Sequence, residues 1–354
     1  MIFRYIIILM FFISSQALSK DFILGEVWFD NSGNKINAHG GGVIYYEGKY
    51  YFVGEFREKG SSLTQKISLY SSSDLSTWQF EGIIFDAANF NSTLNIERPK
   101  VIFNKKTNKF VLWFHEEIAG DFNFSKAGVA VSNKINGNYS FVHDFWPNAN
   151  ILPELSDSKK YNNLGSIIAD RKFNARISQG QMVRDMSLFV DDNDRAYLIY
   201  TSEDNYSLQI AELSSNYLEL NGKYARVMVG QKNEAPTLFK RNGTYYIISS
   251  GLHGYSPTIS KIAAAKYIFG PWKQYGSPFK SNSLLMVKNS FYSQSTYVLK
   301  LNNQDSYIFM ADRWKRGSLQ DSTYIWLPIS WEHDLPNIYW KDKWSLNYFS
   351  SLKN

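Results

Sequence analysis

Glu234-Ala-Pro-Thr-Leu-Phe-Lys-Arg-Asn-Gly-Thr-Tyr-Tyr-Ile-Ile-Ser-Ser-Gly251 sets out an acid, an apolar run, a turn and a second apolar run. Thr237 to Phe239 reads as a short strand, Arg241-Asn-Gly243 as a tight turn, and Thr244 to Ser249 as the antiparallel return, with Glu234 just ahead of the first strand. The plan recurs as Glu97-Arg-Pro-Lys-Val-Ile-Phe returning through Phe110-Val-Leu-Trp-Phe-His-Glu-Glu117, and as Arg184-Asp-Met-Ser-Leu-Phe-Val returning through Ala196 to Asn205. Earlier and later copies are His39-Gly-Gly-Gly-Val-Ile-Tyr-Tyr with Tyr50 to Glu55, and Ser293-Gln-Ser-Thr-Tyr-Val-Leu with Tyr307 to Trp314.

Lead residues roughly 50 to 90 positions apart fit four-stranded propeller blades with variable insertions. Outer halves for some blades can be read as well: Ser68 to Ile83, Ala127 to Phe141, and Lys261 to Tyr275. The expectation is an all-β, five-bladed β-propeller over residues 20–354, with Phe22 to Trp28 as a lead-in strand completing the last blade. The polar stretch Asn148 to Gln181 reads as an insertion loop over one face, and no stretch has enough helical periodicity to suggest a helical layer.

In a propeller, residues before each inner strand and after its partner converge on one pocket. Here these are His39, Glu55, Glu97, Arg98, His115, Glu116, Asp185, Asn205, Glu234, Gly251, Gln294, Asp312, Arg313 and Trp314. Carboxylates aimed at one spot repel one another, so a ligand or chemistry explains them better than architecture does.

The 354 residues, 44% hydrophobic, can bury a large core in one domain. An aromatic share of 17% favours strands and sugar-facing surfaces, and the absence of Cys excludes disulfides and thiolate metal sites. The net charge of +6 is scattered, which argues against nucleic-acid binding. Residues 1–19 carry Arg4, the apolar run Tyr5 to Ile13 and small residues at Ala17 and Ser19, the order of a signal peptide. The expectation is therefore export, to the periplasm or outside the cell, with no membrane association after cleavage. Dinucleotide glycine loops and nucleophile elbows are missing from the sequence, so no cofactor and no metal is expected. His39-Gly-Gly-Gly42 is superficially like an oxyanion-hole motif, but its glycines read as letting backbone pass close to a ligand.

Carboxylates with aromatic neighbours fit glycoside hydrolysis, which needs a protonated acid and usually an ionised base beside the sugar bond. Glu234 is the candidate acid, with Glu97 and Asp185 expected to raise its pKa by like-charge repulsion. Glu97 divides between chemistry and positioning, and Asp185 between proton transfer and an ion pair with adjacent Arg184.

At these motifs the chain resembles glycoside hydrolase family 43, and within it the exo-β-1,3-galactanase branch. The resemblance is carried by Ala38-His-Gly-Gly-Gly-Val, Tyr51-Phe-Val-Gly-Glu55, Glu97-Arg-Pro-Lys-Val, Arg184-Asp-Met-Ser-Leu-Phe, Glu234-Ala-Pro, Ser250-Gly-Leu-His-Gly-Tyr255, Ser293-Gln-Ser-Thr and Asp321 to Pro328. It implies a five-bladed propeller and an inverting mechanism, with Glu234 matching the acid and Asp185 the carboxylate that tunes it. Most of the family carries an aspartate base in blade one, where this chain has His39-Gly-Gly-Gly. The galactanase branch shares that departure and offers Gln294 near the water. Gln294 could orient water through its carbonyl, act through an imidic-acid tautomer, or leave the base role to Glu97. The resemblance points to Glu55, Glu97, Arg98, Asn205 and Gly251 as hydroxyl-binding groups. Trp314 reads as an aromatic wall under the ring or as core.

The implied substrate is an oligo- or polysaccharide, β-1,3-galactan foremost. Alternatives are an arabinofuranosidase or β-xylosidase of the same family, or a catalytically silent sugar-binding propeller.

Overall fold

The computed structural model describes residues 20–119 and 121–351, so the expected signal peptide lies outside the described residues. Most strands are apolar on both faces, so each sheet must be covered on each side by another. Five sheets arranged around an axis meet that requirement.

Blade one runs His39–Tyr46, Lys49–Phe56, Lys66–Ser72 and Gln79–Asp86; blade two Leu94–Asn104, Lys109–Ile118, Asp121–Ser132 and Ser140–Phe145. Blade three runs Met186–Val190, Ala196–Ser202, Ser207–Leu213 and Leu220–Val227. Blade four runs Asn233–Arg241, Thr244–Gly251, Lys261–Ala265 and Lys273–Gln274; blade five Gln294–Lys300, Tyr307–Arg313, Thr323–Glu332 and Leu335–Tyr339. Each is an antiparallel meander, and its inner strand touches the inner strands of the blades on either side, five meeting one to complete the ring. The fold is thus the expected all-β, five-bladed propeller. Its core lies between the blades, as around Trp78, Phe52 and Trp326 where blades one and five meet.

Three expectations need correction. The stretch 148–181 is not merely a loop: it contains Leu155–Ser156, paired in parallel with Ala225–Arg226 as a fifth strand of blade three, then helices α1 (Ser158–Tyr161) and α2 (Leu164–Ala175). Asn163 caps α2 by accepting from Ser166 N, and Phe173 anchors it in the core. The lead-in segment does not enter the last blade. Phe22–Ile23 pairs with Lys343–Trp344 as a separate ribbon, with Phe22 stacked on Trp344 at 4.7 Å and Trp344 donating to Trp326 O at 2.7 Å. Blade five gains its fifth strand from Phe279–Lys280 instead.

The glycines of blade one also serve a different purpose from the one expected, since what they approach is protein. A Cβ on Gly41 would lie 1.9 Å from Val53 O, and one on Gly54 would lie 2.1 Å from the Ala38 carbonyl carbon. Backbone atoms cannot swing aside as a side chain can. Gly54→Ala is expected to lower stability by about 1–3 kcal/mol, as overpacking does. The check is a lower urea midpoint at unchanged slope.

Candidate active site

The inner strands begin irregularly, and that irregularity builds the site. Register shifts fall at His39/Gly42, Glu97/Lys100, Glu234/Thr237 and Ser295/Tyr297, in blades one, two, four and five. In three of these the residue after the lead is left-handed: Gly40 at φ 59°, Arg98 at 57° and Ala235 at 50°. A bulge with a left-handed residue bends the strand and re-aims the neighbouring side chain.

These ends surround a cavity of about 470 Å³ whose wall includes Glu97, Arg98, Asp185, Asn205, Glu234 and Gln294. Arg98, 5% exposed, is central. Its Nε and Nη2 donate to Asp185 at 2.9 and 3.1 Å, Nη2 also to Gln294 Oε1 at 2.7 Å, and Nη1 to Ser295 O at 3.2 Å. Its backbone N–H donates to Glu55 at 2.9 Å. Burial alone would weaken the guanidinium's hold on its proton, but Asp185, Glu55 and Glu97 together raise it. The expected Arg184–Asp185 pair does not form: Arg184 turns to Asp204, and Asp185 binds Arg98 and Ala235 N.

Glu234 is 7% exposed. One carboxyl oxygen accepts from Asn205 Nδ2 at 3.1 Å, the other from His253 N and Gly254 N at 3.1 and 3.2 Å. Burial first, then the charge of Asp185, pushes its pKa up to about 7 against these donors and Arg98. Repulsion is therefore the secondary cause, and it comes from Asp185 rather than Glu97.

Glu97 accepts from Tyr255 Oη at 3.0 Å and Asn95 Nδ2 at 3.3 Å, with Arg57 and His115 each 3.8 Å away. Its charge, then burial, raises the Tyr255 phenol, which therefore stays a donor. Gln294 Oε1 accepts from both Arg98 Nη2 and Trp314 Nε1, at 2.7 and 2.8 Å, and its amide nitrogen donates to Ser250 Oγ at 3.2 Å. Two donors occupy the carbonyl oxygen and fix the amide orientation.

Several expected residues stand behind the wall. Glu55, 1% exposed, anchors Arg57 and the Arg98 backbone, and Gly251 is engaged with Thr258. Trp314, half-buried, backs Gln294 and lies within cation–π reach of Arg57 and Arg98 at 5.3 and 5.8 Å. His39 stacks on Tyr324, Asp312 accepts from Gly40 N, and Arg313 points to Phe291 O. His115 lines the cavity and bonds Glu117 at 2.9 Å, whereas Glu116 is turned into blade two beside Asp144.

Sequence reasoning missed Arg57, Tyr255, the His253–Gly254 amides and Lys100. Tyr255 closes the motif Ser250 to Tyr255, and Arg57 lies two places beyond Glu55, just past the end of its strand, and pairs with it. Lys100 heads the apolar run Val101-Ile-Phe103. It is buried, with its ammonium pushed down to about 7 by burial and by Arg98, and it donates to Gly40 O and Arg98 O at 2.7 and 3.3 Å. Among the described residues no cluster of His, Asp and Glu could hold a metal, and no helix is long and apolar enough to cross a membrane.

A propeller with a carboxylate-lined axial pocket, one acid raised to about 7 chiefly by burial and another paired with arginine, is the apparatus of a glycoside hydrolase. Comparison with known proteins narrows the class. The model of glycosyl hydrolases family 43 matches residues 39–334, and the chain belongs to that family. A family 43 β-1,3-galactosidase solved with galactodeoxynojirimycin is 40% identical, covering 92% of this chain and 100% of its own, at a TM-score of 0.86. An exo-β-1,3-galactanase from Clostridium thermocellum is 31% identical over 91% of this chain and 66% of its own, at 0.78. A variant exo-β-1,3-galactanase from Phanerochaete chrysosporium, solved with β-1,3-galactotriose, is 30% identical over 93% and 69%, at 0.77. No curated protein sequence matches the chain.

Glu116 yields a prediction separate from catalysis. Burial, then Asp144, pushes its pKa from 4.5 to about 8. Between those values the folded chain keeps a proton that the unfolded chain has released, so raising the pH favours unfolding. Glu116→Gln cannot lose that proton. Its stability relative to the native protein should improve steadily from below pH 5 to about 8, as read by urea unfolding across the range.

Proposed function

We propose that the protein is an exported, inverting exo-glycosidase that releases terminal galactose from β-1,3-galactan, such as the backbone of arabinogalactan glycans. The observation that carries the reading is Glu234 buried, proton-bearing near neutrality and held by three N–H donors, beside the Arg98–Asp185 pair in one pocket. The β-1,3-galactose-active relatives support this choice of sugar and linkage. Residues 1–19 supply the export signal.

Glu234 donates its proton to the departing glycosidic oxygen. Asp185 keeps that proton in place until transfer, and Arg98 holds Asp185 in position. Attack comes from a water on the opposite side of the ring. Gln294 orients it: with its carbonyl already accepting two N–H groups, the amide nitrogen is the atom left to engage the water. A neutral amide is a poor proton acceptor, so the proton passes to Glu97, the carboxylate on the same wall. Asn205 and Arg98 border the sugar site, and Trp314 stiffens it from behind.

Because the acid must be protonated, kcat should fall as pH rises through about 7, the value to which Glu234 is raised. Glu234→Gln should abolish that limb and cost roughly 10²- to 10⁴-fold on β-1,3-galactobiose, with a smaller loss on an aryl galactoside whose phenol leaves unaided. Equal losses on both substrates would remove Glu234 from the acid role.

Glu97→Gln and Gln294→Ala should each slow both substrates alike, since water is needed whatever leaves. Glu97→Gln should cost more than Gln294→Ala, and a native rate in Glu97→Gln would remove Glu97 from the proton-accepting role. Turnover of nitrophenyl arabinoside or xyloside without turnover of galactobiose would overturn the sugar assignment.

A further inference from the structure

Glu203, Asp204 and Asn205 are three successive non-glycine residues in the left-handed conformation, at φ 57°, 55° and 62°. Crowding of Cβ against the following carbonyl costs about 1–2 kcal/mol per residue, less for Asp and Asn. Such a turn persists only where its surroundings hold it.

Blade three and the insertion share the holding. Glu203, 1% exposed, takes a two-pronged grip from Arg226 at 2.8 and 2.9 Å, and Arg226 also donates to Asp170 of α2 at 2.9 Å. The Asp204 carboxylate is shared between Lys172 of α2 and Arg184. Helix α2 is itself fixed in place. Phe173 lies under the Arg226 guanidinium at 4.1 Å, and Asp157 accepts from Met228 N and Val229 N. Gly165 presses so close to Gly230 that a Cβ would sit 2.4 Å from its carbonyl oxygen.

We propose that α2 is a positioning element for catalysis: Asp170 and Lys172, outside the cavity, lock the left-handed turn that presents Asn205 to Glu234. The proposal rests on Glu234 being the acid. Asn205 Oδ1 accepts from Thr201 Oγ1 at 2.9 Å, which directs its amide N–H groups at the acid. Loosening the turn withdraws a donor that favours the ionised carboxyl, and it frees the direction in which the proton is delivered. Lys172 touches no reacting group and is a positioning residue. The Lys172–Asp204 pair is about one-third exposed on both sides, and pairs so exposed contribute little to folding. Its effect belongs in kcat and in the pH profile.

The test measures Lys172→Met, Lys172→Arg and Asp170→Asn in the full chain on β-1,3-galactobiose and a nitrophenyl β-galactoside across pH, with Glu234→Gln alongside. Lys172→Met should lower kcat on the disaccharide by about ten-fold, with KM within about two-fold and a smaller loss on the aryl substrate. Its alkaline limb should move to higher pH, and Lys172→Arg should restore most of the activity. Asp170→Asn should act in the same direction. Native kcat and pH limb in Lys172→Met would overturn the proposal, as would an equal loss on both substrates with a lowered melting temperature. If Glu234→Gln loses equally on both substrates, the acid assignment has failed by itself and the proposal falls with it. If Glu234→Gln behaves as expected while Lys172→Met is native-like, only the positioning role is lost.

Discussion

The ion pair between Arg98 and Asp185 ties the architecture together. Arg98 comes from blade two and Asp185 from the lead into blade three. The guanidinium also reaches Gln294 and Ser295 of blade five, its backbone rests on Glu55 of blade one, and Asp185 accepts from Ala235 N of blade four. All five blades meet at one charge pair. Removing Asp185 would leave the buried Arg98 guanidinium without its carboxylate, a loss of several kcal/mol in comparable cases. The same pair sets the electrostatics of the pocket, because the charge on Asp185 that Arg98 secures is the second cause of the raised Glu234 carboxyl. Stability and proton inventory are thus linked through one contact.

Around that pair the functional side chains are aimed by backbone conformation. Left-handed residues follow His39, Glu97 and Glu234, and a run of three ends at Asn205. Glycine fills only one of these six positions. The others hold residues with a Cβ, so neighbouring contacts must supply what local preference does not: Glu55 and Lys100 around Arg98, Asp185 at Ala235, Arg226 at Glu203 and the helical insertion at Asp204.

The propeller was legible because each blade announces itself with an apolar run, a turn such as Arg241-Asn-Gly243 and a return run, and because lead residues recur in register with those turns. Glu234, Asp185, Glu97 and Gln294 could be placed around one pocket for the same reason. Partners were harder. Arg184 and Asp185 are adjacent and both line the cavity, yet the chain bends at Asp185 and each pairs elsewhere, with Asp204 and with Arg98. Glu116 and Glu117, successive residues of a strand, point to opposite sides, one into the blade and one to the cavity. Helix α2 was missed because its buried stripe is Ser166, Ala169 and Phe173, too little apolar surface to mark a helix by pattern. Glu55 and Gly251 sit at the right ends of the right strands but one layer too deep, a distinction in depth that a linear pattern does not carry.

The seam between the first and last blades has a temporal consequence. Gly40 donates to Asp312, 272 positions away, and Ala38 to Tyr324, 286 positions away. Contacts so distant in sequence form late, after shorter loops have closed. The pocket draws its wall from all five blades, and Arg98 loses two of its acceptors if Gln294 and Ser295 are not yet in place. A chain emerging from the ribosome can therefore complete several blades and still have no competent site. Enzymatic activity in a refolding mixture would count only rings that have shut, whereas circular dichroism would also register every blade formed on the way.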